Sequence, residues 1–203
     1  MIKTIVFDFG KVIGFFDHRR ATDYLARHCD LTSEAILASM LATDLEDAYE
    51  SGRLTSEEFL RHVRQLCGVR CGDEEMGRAY ADIFWPNEPV CALIPQLRPQ
   101  YRLLLGSNTT ELHALQFKRQ FAEVFRYFDH LVLSFEVGVR KPRAGFFEYC
   151  LRLAACEPAE CLFIDDLPAN VAGARALGWH GIVYTSTEDL RTRMADLGVR
   201  FAA

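Results

Sequence analysis

The sequence has no uninterrupted apolar run near the 18 residues that a membrane-spanning helix needs, although half of its 203 residues are apolar. It also lacks the excess of positive charge typical of nucleic-acid-binding proteins, because 28 acidic residues outnumber 23 lysines and arginines. The first residues do not show the basic segment and apolar block of a secretory signal peptide. We therefore expect a cytoplasmic protein with neither a membrane nor nucleic acid as its partner.

The seven cysteines do not form a zinc-binding pattern or an even disulfide framework. Cys67 and Cys71 lie four residues apart, but no second pair of Cys or His residues completes a set of ligands. The other cysteines are scattered, at Cys29, Cys91, Cys150, Cys156 and Cys161. This odd, irregular set is typical of reduced thiols in the cytosol.

Five short apolar runs, rich in β-branched and aromatic residues, have the pattern of strands buried on both faces. They cover residues 2–9, 102–107, 130–134, 161–165 and 181–185. Helical periodicity separates the later runs, at 110–125, 145–155 and 168–178, and a closing helix is expected within 186–203. Because alternating strands and helices form right-handed crossovers, the sequence predicts an α/β fold with a parallel sheet.

The stretch between the first two predicted strands differs from the rest of the chain. It contains several blocks of helical periodicity and no convincing strand between residues 18 and 100. Thr55 and Glu58 have the spacing of a capping box at the start of one block. We therefore predict an all-helical insert at 18–90 within a sheet domain formed by residues 1–17 and 91–203.

Polar residues follow the predicted strands at the edge of the sheet where ligands of open parallel sheets bind. These residues are Asp8, Ser107, Asn108, Lys141, Asp165 and Asp166. Each one alone has a simpler explanation, such as a turn former, a helix cap or a solvated lysine. Their joint occurrence at successive strand ends predicts one shared crevice.

This set of groups is suited to phosphoryl transfer. A carboxylate such as Asp8 can attack phosphorus and form an acyl phosphate. Asp8 and Asp166 together can hold a magnesium ion, which offsets the negative charges of nucleophile and phosphate. The hydroxyl of Ser107 and the ammonium of Lys141 can hold the remaining phosphoryl oxygens and stabilise charge in the transition state.

Four segments resemble, in the same order, the motifs of the haloacid dehalogenase-like hydrolases, most of which are magnesium-dependent phosphatases. The segments are "VFDFGKVI", "LLLGSNTTELH", "GVRKP" and "FIDDLPANVAGARALG". The resemblance implies a Rossmann-like core, with the insert at 18–90 as a helical cap over the crevice. It also implies Asp8 as the nucleophile, with Ser107, Asn108 and Lys141 binding the phosphate.

The same resemblance implies that Mg²⁺ is held by Asp8, the backbone carbonyl of Gly10 and Asp166. Asp165 would be a further ligand or would orient one. Within the family the segments look most like a bacterial group related to α-D-glucose-1-phosphatase. This implies a sugar phosphate or similar small phosphomonoester, hydrolysed through an aspartyl phosphate. We expect the protein to be a monomer or a homodimer.

Gly10 departs from the family pattern, because most of these phosphatases carry a second Asp two residues after the nucleophile. General acid–base help is worth about 10²–10⁴-fold, so its loss should slow the reaction rather than abolish it. Asp17 and His18 follow near the start of the insert. Asp17 is predicted to cap the next helix, and its replacing the missing acid is a second interpretation.

Two other functions remain open at this point. The glycine is compatible with a weakly active or inactive module that binds phosphate and Mg²⁺ without turnover. It is also compatible with a metal-independent haloacid dehalogenase, which lacks the second Asp as well. The adjacent carboxylates Asp165 and Asp166 argue against the dehalogenase, because they would repel an anionic haloacid when no cation is bound.

Overall fold

The predicted strands form a five-stranded parallel sheet in the computed structural model, which describes residues 1–202. The strands of the protein are β1 (Thr4–Phe7), β2 (Gly14–Phe16), β3 (Phe84–Pro86), β4 (Arg102–Ser107), β5 (His130–Leu133), β6 (Cys161–Asp165) and β7 (His180–Val183). The sheet has the order β5-β4-β1-β6-β7, so β1 is central and the chain fills first one side of it and then the other. The predicted α/β class with a Rossmann-like parallel sheet is confirmed.

Helices connect these strands and form the region between β2 and β3. They are α1 (Arg19–Leu25), α2 (Ser33–Leu41), α3 (Leu45–Glu50), α4 (Ser56–Cys67), α5 (Asp73–Ala81), α6 (Glu88–Cys91), α7 (Ile94–Leu97), α8 (Glu111–Gln120), α9 (Ala122–Phe125), α10 (Ser134–Val137), α11 (Ala144–Ala154), α12 (Pro168–Ala176) and α13 (Thr187–Asp196). Among residues 1–202, none of these helices is long and apolar enough to cross a membrane.

Both faces of the sheet are covered, because alternate side chains of a buried strand point to opposite sides. Ile5 and Phe7 of β1 belong to a cluster that includes side chains of α6–α9 and α13. Val6 lies between them in sequence and packs on the opposite face with α11 and α12. The sheet is therefore the middle layer of three, and its strand ends are held rigidly by two cores.

Helices α1–α5 have an apolar core of their own, and we call residues 18–82 the helical unit. Tyr49 of α3 stacks on Phe59 of α4, with ring centroids 4.4 Å apart, and both side chains are buried. The predicted capping box at Thr55 and Glu58 is present at the start of α4. Leu112 of α8 packs against this core, so the helical unit rests on the helix that follows β4.

A two-stranded antiparallel ribbon joins the helical unit to the sheet domain. Strands β2 and β3 pair Phe15 with Trp85 and Phe16 with Phe84. The expectation of no strand between residues 18 and 100 is therefore wrong at β3. The error has a physical cause: a three-residue strand paired with a partner 70 positions away leaves no local periodicity.

Candidate active site

Asp8 follows the central strand β1, at the point where the strand order reverses. Phe7 pairs with Leu105 of β4 on one side and with Ile164 of β6 on the other. The backbone amide of Asp8 continues this pairing and donates to the Ile164 carbonyl at 2.8 Å. Its carboxylate is therefore held between the ends of β4 and β6, in the crevice where α/β folds bind ligands.

Lys141 lies in the segment after β5 and places its ammonium between two carboxylates. Its Nζ lies 2.7 Å from Asp8 Oδ1 and 2.7 Å from Asp165 Oδ2, and 1% of its side chain is exposed. Burial disfavours the charged ammonium, but the neighbouring Asp8 and Asp165 carboxylates outweigh this and raise the pKa of Lys141. The lysine is therefore a buried cation, close enough to the nucleophile position to contact a bound phosphoryl group.

Asp165 is fully buried and both of its oxygens accept hydrogen bonds from the protein. Oδ1 accepts from the Leu167 backbone amide at 2.8 Å, and the Asn170 side-chain amide lies 3.0 Å from each oxygen. Oδ2 also accepts a hydrogen bond from the Lys141 ammonium. Because both carboxylate oxygens are already hydrogen-bonded, Asp165 is better placed to orient Lys141 than to bind a metal ion. Asn170 was not found from the sequence, where it resembles an ordinary residue in the first turn of a helix.

Asp8, Asp165 and Asp166 offer carboxylate oxygens that all lie within 4.8 Å of one another. Burial raises the pKa of Asp8 to about 7, although Lys141 acts in the opposite direction. Burial also raises the pKa of Asp166, whose side chain is 18% exposed and lies 3.5 Å from Lys11 Nζ. Crowded carboxylates with raised pKa values fit a divalent cation such as Mg²⁺, which prefers carboxylate oxygens and would remove their repulsion.

Ser107 and Asn108 follow β4 on the other side of Asp8. Ser107 is buried and ends the strand. Asn108 bonds to the backbone of Lys141 twice: its Nδ2 donates to the Lys141 carbonyl at 3.0 Å, and its Oδ1 accepts from the Lys141 amide at 2.8 Å. The Asn108 side chain therefore positions residues 138–143, which we call the lysine segment. Because the side chain is used in this way, a substrate contact of Asn108 would be made by its backbone.

A cavity of about 60 Å³ lies between the strand ends and the helical unit. Gly10, Ser107 and Asn108 line its sheet-domain side. His18 and two of the three α3 carboxylates, Glu46 and Glu50, line it from the helical unit. The rest of the lining comes from Phe9, Phe16, Ile83, Phe84, Thr109 and His113. Two of the predicted phosphate-binding residues, Ser107 and Asn108, thus share one small space with polar groups of the insert.

The helical unit is tied to the lysine segment by an ionic cluster. Arg140, which precedes Lys141, lies 2.6 Å from Glu50 and hydrogen-bonds Asp47, both on α3. Burial raises the pKa of Glu50 to about 7, and the Arg140 guanidinium opposes this shift. Ser134, the first residue of α10, also donates to the Glu50 carbonyl at 2.6 Å. One end of the cavity is therefore fixed to the sheet domain.

Phe16 occupies the space beside Gly10 where a second carboxylate would project. A Cβ atom added at Gly10 would lie 3.0 Å from Cε1 of the Phe16 ring. This distance is tighter than ordinary van der Waals contact, so any larger side chain must displace the ring. The position of the Phe16 ring therefore requires a residue without a side chain at position 10. The sequence alone did not reveal this contact.

We expect Gly10→Asp to lower the free energy of unfolding by about 1–3 kcal/mol, because the new side chain overpacks against Phe16. The loss should shrink by about 1 kcal/mol or more in a Phe16→Leu background, where the ring edge is absent. Urea denaturation of the wild-type protein, the two single variants and the double variant measures this coupling. Phe15→Leu is the matched control, because the Phe15 ring faces Trp85, 6.2 Å away, rather than Gly10. Equal losses in all three backgrounds would contradict the packing explanation.

Asp17 lies one residue before the N-cap of α1, which is His18 and not Asp17 as predicted. Its exposed carboxylate accepts a hydrogen bond from the Arg19 backbone amide at 2.9 Å. The alternative interpretation, in which Asp17 supplies the missing acid, is disfavoured because its carboxylate is engaged at the helix start.

The aromatic residues of the ribbon divide between the cavity and the surface. Phe16 and Phe84 line the cavity, whereas Phe15 and Trp85 pair on the outer part of the ribbon.

The chain is similar in sequence and in fold to known hydrolases. The chain is 29% identical over 187 residues to a D-ribitol-5-phosphate phosphatase of Bacteroides thetaiotaomicron, covering 88% of this chain and 90% of that protein. A solved structure of a predicted haloacid dehalogenase-like hydrolase from Porphyromonas gingivalis matches with a TM-score of 0.82 and 28% identity, covering 98% of this chain and 99% of the other.

A haloacid dehalogenase family enzyme from Bacteroides thetaiotaomicron is similarly related. Its structure matches with a TM-score of 0.81 and 25% identity, covering 95% of this chain and 98% of the other. The same enzyme has also been solved as a complex with magnesium and inorganic phosphate, which matches with a TM-score of 0.73 and 23% identity over 91% of this chain and 95% of the other. The family model of the haloacid dehalogenase-like hydrolases matches residues 2–178, and the chain belongs to this family of hydrolases.

Proposed function

We propose that the protein is a Mg²⁺-dependent phosphatase that hydrolyses a small phosphomonoester through an aspartyl phosphate on Asp8. The observation that carries this proposal is the convergence of a buried carboxylate, a buried ammonium and a second acidic pair at one strand edge. The similarity to a protein named as a phosphatase supports the same reaction. The similar Bacteroides enzyme, solved with magnesium and phosphate, supports the metal and the ligand class.

Asp8 and Asp166 would hold the cation, with the backbone carbonyl of Gly10 as a third protein ligand. Asp165 is already saturated by hydrogen bonds and would fix the orientation of Lys141 instead. When bound, the cation would neutralise charge on the phosphoryl oxygens. Ser107, the Asn108 backbone and Lys141 would hold the phosphoryl group in line with the Asp8 carboxylate.

The helical unit would act as a cap that selects the substrate. It brings Glu46 and Glu50 to the cavity that Ser107 and Asn108 line from the other side, and these acidic residues would meet the part of the substrate beyond the phosphate. Carboxylates accept hydrogen bonds from hydroxyl groups and disfavour a second phosphate on the same molecule. We therefore propose a hydroxylated monophosphate, such as a sugar or polyol phosphate, as the substrate. The similarity to a D-ribitol-5-phosphate phosphatase fits this class.

The test is a phosphate-release screen over monophosphates and bisphosphates of sugars and polyols, with Mg²⁺ or with a chelator. We expect turnover only with Mg²⁺, and a preference of about tenfold or more for monophosphates over the matching bisphosphates. Chloride release from 2-haloacids is assayed in parallel. Chloride release that is insensitive to the chelator, without phosphate release, would overturn the proposal in favour of a dehalogenase. Metal binding without phosphate release across the panel would overturn it in favour of a binding module. Phosphate release that the chelator does not affect would overturn the metal dependence.

A further inference from the structure

We propose that His18 is the general acid and base that replaces the carboxylate absent at Gly10, an inference that rests on the proposed phosphatase function. His18 immediately precedes α1, where the chain leaves the ribbon for the helical unit. Its imidazole lines the same cavity as Gly10, Ser107 and Asn108. Histidine is the side chain that most often performs general acid–base catalysis.

The position of the imidazole follows from the packing that excludes a carboxylate at Gly10. The Phe16 ring covers Gly10 on one side, and the His18 ring packs against Phe16 with centroids 5.2 Å apart and an interplanar angle of 68°. His18 thus packs on the same ring that takes the place of the missing side chain. Neither ring nitrogen is hydrogen-bonded to another group within residues 1–202, so both remain available to a ligand in the cavity.

The other groups around the cavity are less suited to this role. His113 is stacked on Tyr80, with centroids 4.2 Å apart, and its Nε2 lies 3.1 Å from the Tyr80 carbonyl. Burial and the nearby His18 lower the pKa of His113 to about 3, so it is neutral and already donates its proton to that carbonyl. Glu50 is paired with Arg140. Glu46 remains as the competing candidate, and the experiment below includes it.

The proposed steps balance protons and bonds. In the first step the Asp8 carboxylate attacks phosphorus, the bond from phosphorus to the substrate oxygen breaks, and the His18 imidazolium gives its proton to the departing oxygen. In the second step the neutral imidazole takes a proton from water as the water oxygen attacks phosphorus. The bond between phosphorus and Asp8 then breaks, which releases inorganic phosphate and restores the carboxylate and the imidazolium.

The experiment compares two aryl phosphates that differ by one nitro group, phenyl phosphate and p-nitrophenyl phosphate, in the presence of Mg²⁺. Phenolate is the stronger base, so its departure depends more on a proton donor. We expect His18→Gln to lower kcat for phenyl phosphate by about 10²-fold. The ratio of kcat for phenyl phosphate to kcat for p-nitrophenyl phosphate should fall by about tenfold or more. Added imidazole should restore turnover of phenyl phosphate by His18→Ala.

His62→Gln is the matched control, because His62 is exposed on α4 and its Nδ1 lies 2.7 Å from the Glu58 carbonyl, away from the cavity. Its two rates should equal those of the wild-type protein. Equal losses of His18→Gln on both substrates, or no loss, would overturn the role of His18 while leaving the phosphatase function intact. A leaving-group-dependent loss in Glu46→Gln instead would assign the role to Glu46. No turnover by the wild-type protein would overturn the phosphatase function itself, and this proposal with it.

Discussion

Replacing Asp8 with asparagine should reduce phosphate release by about 10³-fold or more, because a neutral amide does not attack phosphorus as a carboxylate does. The change keeps the size of the side chain, and Lys141 retains its contact with Asp165, 2.7 Å away. Burial already raises the pKa of Asp8 to about 7, so removing this charge should not destabilise the fold. Steady-state kinetics with Mg²⁺ and thermal unfolding together test this expectation.

Asp17→Asn is the matched control for Asp8→Asn. Asp17 has the same charge and lies nine residues later, but it is exposed and its carboxylate accepts a hydrogen bond from the Arg19 backbone amide. We expect its turnover to stay within about twofold of the wild type, since it touches no part of the proposed site. More than a tenth of the wild-type rate in a folded Asp8→Asn protein would show that another group attacks phosphorus. A tenfold loss in Asp17→Asn would instead revive its role as the missing acid.

Replacing Lys141 with methionine should lower the free energy of unfolding by about 3–5 kcal/mol in the presence of a chelator. The ammonium is the cation that contacts both Asp8 and Asp165, and its side chain is 1% exposed. Methionine has a similar length but leaves two buried carboxylates without that partner. Urea denaturation with a chelator measures the loss.

Magnesium should return part of that stability, because a ligand that binds only the folded state shifts the unfolding equilibrium. Combining Lys141→Met with Asp8→Asn should cost less than the sum of the single changes, since one of the uncompensated charges is gone. The control is Lys118→Met, which breaks an exposed ion pair of 3.2 Å with Glu136 and should cost about 1 kcal/mol or less. Similar losses for the two lysines would contradict the buried-charge explanation.

Residues at the strand ends could be predicted to converge because their position depends only on local patterns. Apolar runs indicate strands, alternation with helices indicates a parallel sheet, and a parallel sheet brings carboxyl ends to one edge. Asp8, Lys141 and Asp165 accordingly lie in direct contact. The roles of Ser107 and Gly10 toward phosphate and metal stay predictions until the kinetic tests are made.

Other parts of the site depend on pairs of residues distant in sequence, and these left no local signal. The contact of Phe16 with Gly10 depends on the ribbon between β2 and β3, whose second strand was expected to be helical. The sequence around Asn108 does not indicate whether its side chain binds a ligand or the backbone of Lys141, which it contacts in the structure. In each case the role of the residue is set by a tertiary contact, and the local sequence is equally compatible with either role.

The pairing of Arg140 with α3 has a consequence for how this protein can diverge. The arginine is bonded to Asp47 and Glu50 of the helical unit and is covalently joined to the residue that neutralises the nucleophile. Helices α4 and α5 carry no such bond to the segment around Lys141 among residues 1–202, and they rest on α8 instead. This pairing constrains how substrate specificity can change in evolution. A homologue that acquires a different insert must keep acidic residues on α3 or change residue 140 at the same time, because otherwise Arg140 loses its partners.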